Sequence, residues 1–164
     1  IRSKRSWRAR ASAASPSVGL ALRTCSATLA GFVSTVTPGR PDAIAVNVSV
    51  NVHDDVATAL WPVKATLGFY IGGMGAKGRN FHTELMARMG FEKEAFAIQD
   101  LFLEGRRDEA IAAVPDDFAD EISLCGPRER VAERLEAWKA SSVTTLIIGS
   151  ADASTLELMA ELTT

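Results

Sequence analysis

The stretch GFYIGGMGAKGRNF, residues 68–81, gathers the groups in this sequence best suited to hold an anion. It contains Gly73-x-Gly75-x-x-Gly78, preceded by Gly72, with Lys77 and Arg79 as cations and Asn80 as a side-chain amide. Glycine-rich turns bind phosphate because backbone N–H groups can approach an oxyanion with no Cβ in the way, and neighbouring cations add attraction. A dinucleotide fingerprint of this spelling also needs a strand before it, a helix after it, and a second strand ending in an acid about 20 residues on. Residues 91–104 read as a further helix in that place. The nucleoside-triphosphate loop fails as well, because Gly78 is followed by Arg79-Asn80 rather than by Lys and Ser or Thr. Two readings stay open. Either the N–H groups of the turn, helped by Lys77 and Arg79 and by the Asn80 amide, take an anionic ligand group, or the glycines serve a tight turn, Asn80 caps a helix and the cations are solvated.

Other reactive groups are sparse. Cys25 and Cys125 form no CxxC pair, and with His53 and His82 they match no zinc spacing, so no metal is expected. Arg128 and Arg130, beside Gly126-Pro127, stand where a helix start could meet a phosphate, or are surface charge. Glu84, Asp100 and Glu104 have no paired base or nucleophile in view, so no catalytic residue is assigned.

The elements that must position these groups follow from periodicity. Ile44, Val46, Val48, Val50 and Val52 alternate with Ala45, Asn47, Ser49 and Asn51, which predicts a strand with one apolar face. His53 reads as a loop residue, and Asp54 or Asp55 as the cap of a helix from Val56 to Gly72 with a kink or restart at Pro62. Helices are expected over 81–89 closed by Gly90, 91–104 closed by Gly105 and 106–114 stopped by Pro115. Phe91, Ala95, Ile98 and Phe102 recur at helical spacing and read as core. A short strand, a helix over 128–140 buried through Val131, Leu135 and Trp138, an apolar strand over 143–149 covered on both faces, and a helix from about Ser154 complete the chain. Strands alternating with helices in this order predict an α/β domain with parallel strands, in which the helical block over 72–115 is an insertion.

Composition divides the 164 residues sharply. Residues 1–41 carry seven of the 18 basic groups (Arg2, Lys4, Arg5, Arg8, Arg10, Arg23 and Arg40) and none of the 20 acidic ones. This leader has three readings: out-of-frame or truncated sequence, a disordered basic tail, or a transit peptide. Residues 42–164 form the domain proper. No run approaches the ~18–20 apolar residues of a membrane span, and two isolated cysteines suit a reducing compartment, so a cytoplasmic protein is expected.

The run WPVKATLGFYIGGMGAKGRNFHTELMARMGFEKEAFAIQDLFLEGRRDEAIAAVP, followed by ISLCGPRERVAERLEAWKASSVTTLII, resembles the C-terminal part of the luciferase-like monooxygenase superfamily. It looks most like the deazaflavin (coenzyme F-420)-dependent oxidoreductases, on YIGGMG with Asn80-Phe81, IQDLFLEG, AVPDDF and SLCGPRERVAERL. The resemblance implies the C-terminal part of a (β/α)8 TIM-type barrel and hydride transfer between coenzyme F-420, or alternatively FMN, and a small organic substrate. It makes Gly72, Gly73, Gly75, Lys77, Gly78, Arg79 and Asn80 the candidate coenzyme-binding residues. A homo-oligomer is the expected assembly, with neither membrane nor nucleic acid as partner. His82 and Phe102 stand where the family has tyrosines, Trp61 where it has arginine, and Ser141-Ser142 where it has Ala-Gly. The family's early strands carry much of the coenzyme pocket, so the chain alone is expected to be inactive, to bind no coenzyme tightly and to self-associate. The competing expectation is a non-catalytic α/β interaction module with the basic leader as its docking arm.

Overall fold

The computed structural model describes residues 34–36, 44–149 and 152–163, so the leader, apart from residues 34–36, lies outside the described residues. In chain order the elements are β1 (Ser34–Val36), β2 (Ile44–Val52), α1 (Val56–Gly73), α2 (Phe81–Met86), a π-helical turn (Ala87–Phe91), α3 (Glu92–Leu103), α4 (Arg107–Ala112), α5 (Asp116–Glu121), β3 (Ser123–Gly126), α6 (Arg128–Lys139), β4 (Thr145–Ile148) and α7 (Ala153–Thr163). They fall into two compact units, one spanning 51–127 and the other combining the chain up to Val50 with the chain from Arg128. The protein is α/β, and its sheet contains a parallel pair.

In the second unit β2 pairs with β4 in parallel, Ala45 opposite Thr145 and Val48 opposite Ile148, while β1 runs antiparallel to the start of β2. The expected alternation in β2 holds over its middle, where Val46, Val48 and Val50 are buried and Asn47 and Ser49 exposed, and fails at the end, where Val52 is 40% exposed. Helix α6 buries the expected stripe of Val131, Leu135 and Trp138, and α7 buries Thr155, Leu158 and Met159. The two helices are tied by Arg128 to Glu161 and by the Lys139 ammonium donating to the Leu162 carbonyl. Strand β4 corrects an expectation. Its apolar run was expected to be covered on both faces, but Thr145 is exposed and Ile147 is 41% exposed. Leu146 and Ile148 turn to a groove shared with Leu135, Trp138 and Met159, so the pleat sends Thr145 and Ile147 to the other, open face.

The unit over 51–127 is built on α1. Asp55 caps it, its carboxylate accepting from the Thr58 N–H at 2.9 Å. Ala59, Leu60, Val63, Leu67 and Ile71 are buried, and so are Leu85, Met86, Ala95, Ile98 and Phe118 in the shorter helices. Helix α1 does not restart at Pro62. It runs unbroken through 18 residues with Pro62 on its exposed side, because burial on the opposite face outweighs the one backbone hydrogen bond that the ring removes. Gly90 likewise joins two helices rather than ending one. Its φ of 98° lets the chain turn inside a π-helical segment and continue into α3. Helix α5 was not anticipated, although Pro115 at its cap with Asp116 and Asp117 in its first turn is an ordinary start signal.

Candidate functional site

The glycine turn lies between the end of α1 and the start of α2, and most of its candidate residues are engaged in holding those helices together. Asn80 is 1% exposed. Its side-chain oxygen accepts from the His82 N–H at 2.9 Å, capping α2, and its amide nitrogen donates to the carbonyls of Tyr70 at 3.0 Å and Ile71 at 2.7 Å. Thr83 donates its hydroxyl to the same Ile71 carbonyl at 2.6 Å. The last carbonyls of α1, which a helix leaves without intrahelical partners, are therefore satisfied by side chains of α2 and its cap. This commits the Asn80 amide to the interior.

The glycines divide by position. A Cβ on Gly72 would lie 2.4 Å from the Phe102 Cβ, and one on Gly73 would lie 2.6 Å from the Phe102 ring, so both admit that ring against α1. A Cβ on Gly75 would meet the Arg79 carbonyl oxygen at 2.8 Å, and Gly78 has a φ of 74°. What remains open to a ligand is a set of donors. Among the described residues the backbone N–H groups of Gly75, Ala76, Lys77 and Gly78 make no hydrogen bond, and the exposed Arg79 side chain makes no ion pair. Lys77 pairs with Asp100, with both side chains well exposed, and such a surface pair opens at little cost when an anion competes.

Beside the turn, His82 stacks edge-on against Tyr70, with ring centroids 4.9 Å apart, and against Phe81 at 5.5 Å. Burial pushes its pKa below the ordinary imidazole value, since the charged form would lose solvation there. Arg128, the other phosphate candidate, is held by Glu161, and Arg130 has a partner as well. Among the described residues no cluster of His, Cys, Asp and Glu could hold a metal, and no helix is long and apolar enough to cross a membrane.

At the other end of α1 is His53, which lies in a loop as its sequence position predicts. His53 directly follows β2, and its N–H donates to the Gly126 carbonyl at the end of β3, 3.1 Å away. The exposed imidazole is set by Asp55: the Asp55 N–H lies 3.0 Å from Nδ1 and the Asp55 carbonyl oxygen 3.2 Å from the same nitrogen. The Asp55 carboxyl is held below its usual range, chiefly by the Thr58 hydroxyl and then by the Thr58 N–H. The signal available in the sequence was position alone, the first residue after an alternating strand. The 18 residues of α1 rise roughly 27 Å, so His53 and the glycine turn stand a full helix length apart and only an elongated ligand reaches both.

The model of the luciferase-like monooxygenase family matches residues 35–145, which takes in β2, α1, the glycine turn, β3 and α6. The chain belongs to the luciferase-like monooxygenase family. Within it, the chain is 33% identical over 119 residues to a Mycobacterium tuberculosis protein named as a coenzyme F420-dependent oxidoreductase. The match covers 73% of this chain and 34% of that relative, so the chain spans about a third of the length of the curated relative it matches. No solved structure matches.

Proposed function

We propose that the chain is the C-terminal part of a luciferase-like oxidoreductase that moves hydride between a 5-deazaflavin, coenzyme F-420, and a small organic substrate. The observation that carries this reading is the family match running unbroken from β2 to β4, together with the named activity of the relative. Coenzyme F-420 is preferred to FMN on that relative's name. The helices that follow β2, β3 and β4 suit a segment of a (β/α)8 barrel with residues 72–115 as an insertion. When bound, the coenzyme supplies the hydride chemistry, and the chain binds, orients and excludes water.

The donor set in the glycine turn fits an anionic part of such a coenzyme. Four unpaired N–H groups with Lys77 and Arg79 beside them suit phosphate or carboxylate oxygens. Gly72 and Gly73 act one step back, by seating Phe102 behind the turn, and Gly75, Gly78 and Asn80 shape it. The turn is a helix length from the strand end, so it anchors a tail and takes no part in hydride transfer. The interaction-module reading depends on the leader, outside the described residues.

The test is retention of coenzyme F-420 in equilibrium dialysis at low and high salt. Replacing both cations (Lys77→Ala with Arg79→Ala) is expected to lower retention at least about fivefold at low salt and little at high salt, because exposed cations are screened. Equal retention by the double variant at low salt would remove the turn from the site.

A further inference from the structure

We infer that the outer face of α1 docks against the same face of a second copy of this chain, with the two helices antiparallel across a two-fold axis. The inference stands apart from the oxidoreductase reading and rests on what α1 leaves uncovered. Of its 18 residues only Lys64 is charged, and that side chain is 13% exposed and paired with Asp116. The outer side of the helix is therefore uncharged from end to end, over Trp61, Pro62, Ala65, Thr66, Phe69 and Gly73. Trp61 is 50% exposed and Phe69 51%. A helix that faces water on one side carries charge there, as α6 does with Arg128, Glu129, Glu133 and Glu136, whereas a helix without a charged face belongs in an interior or an interface. Trp61 stands where the family has arginine, so the loss of charge from this face belongs to this chain.

Two features select a second copy as the occupant. First, the face is symmetric about Ala65, with Trp61 one turn before it and Phe69 one turn after it. An antiparallel copy crossing at this small residue sets Trp61 of each chain against Phe69 of the other, and such aromatic pairs add to the area they bury. Second, the ends of the face are complementary in charge. Asp54, just before α1, is exposed and its carboxylate makes no hydrogen bond or ion pair among the described residues. The exposed Arg79 side chain, in the turn just after α1, makes no ion pair there either. Antiparallel packing brings Asp54 of each copy to Arg79 of the other, at both ends of the pair, while parallel packing sets like charges side by side.

A face roughly 27 Å long and one helix wide covers less than the ~800 Å² per partner of a standard interface. The dimer is therefore weak, dissociating on the order of 10–100 μM. Exposed charges are screened, so salt weakens it further. Arg79 serves either the second copy or an anion in the glycine turn, one at a time.

The experiment is sedimentation equilibrium of the full chain at low salt, carrying Ile147→Lys to place a charge beside the free edge of β4, where Ile147 is 41% exposed. A reversible monomer–dimer equilibrium is expected. Two charge reversals are then compared in the same background. Asp54→Arg sets arginine against Arg79, and Arg79→Asp sets aspartate against Asp54, so each variant alone is expected to dimerise at least about fivefold more weakly. Mixed in equal amounts, the two variants regain both opposite-charge pairs, and the mixture is expected to dimerise as tightly as the chain with Ile147→Lys alone. Phe69→Glu buries a charge in the centre of the pair and is expected to leave a monomer whose helix content, by circular dichroism, is unchanged. A chain that stays monomeric up to about 1 mM, an Asp54→Arg variant that dimerises undiminished, or a mixture no tighter than its components overturns the antiparallel pair.

Discussion

Asn80 bears the heaviest structural duty of any polar residue in the glycine turn. It caps α2 and supplies two donors to the end of α1 from a buried position. Replacing it with alanine removes a helix cap, about 1 kcal/mol, and takes the side-chain donor from the part-buried Tyr70 carbonyl, about 1–3 kcal/mol, while the Ile71 carbonyl keeps the Thr83 hydroxyl. Asn80→Ala is therefore expected to lower stability by about 2–4 kcal/mol in urea unfolding, whereas a loss below about 0.5 kcal/mol would show that the amide is not engaged as described. His82 makes a pH-dependent contribution. Its pKa in the folded chain is depressed below the ordinary 6.5 by burial, so below pH 6.5 the unfolded chain binds the extra proton first. Its contribution is complete above pH 6.5 and declines as pH falls through the folded value. The urea midpoint should drop between pH 7.5 and 5.5, and His82→Tyr should flatten that drop. The sequence allowed both roles of Asn80, helix cap or ligand-facing amide. Only the two carbonyls at its amide nitrogen decide between them, and they belong to residues nine and ten positions earlier.

At the scale of elements, strands and helices were legible wherever one short-range period governed them. The alternation of β2 and the Val131, Leu135, Trp138 stripe of α6 each depend on neighbours within a turn or a pleat. Where a long-range contact decided the outcome, the sequence misled: Pro62 signalled a break that burial along α1 overrides, and the apolar run of β4 signalled two covered faces where one is open. Pro62 gives a direct check. It lies on the exposed side of an otherwise regular helix, so Pro62→Ala restores a backbone donor and removes a steric clash. Thermal unfolding should show stabilisation of about 1–3 kcal/mol. Unchanged or lowered stability would mean that the proline ring is needed for packing.

For the whole molecule, the open side of β4 is the feature with the widest consequence. Among the described residues β4 pairs only with β2, and Ile147 is 41% exposed beside that free edge. Unpaired edges with apolar side chains recruit further strands. The chain is therefore expected to associate beyond the dimer with rising concentration in analytical ultracentrifugation, and Ile147→Lys to suppress this by placing a charge on the open face. Association untouched by Ile147→Lys would place the interface elsewhere. The family was legible in the sequence through ordered landmarks. The division of α1 into a strand-end side with His53 and a turn side with Lys77 and Arg79 was not, because it depends on one unbroken helix length.

The measurement that bears most directly on the central claim is the equilibrium binding isotherm of coenzyme F-420 to the purified chain. The donors present are a few backbone N–H groups and two exposed cations, so the account predicts saturable but weak binding, on the order of 0.1–1 mM. No saturable binding would contradict the assignment of a coenzyme-contacting site to this chain, and tight stoichiometric binding would contradict the view that this chain supplies only part of the pocket.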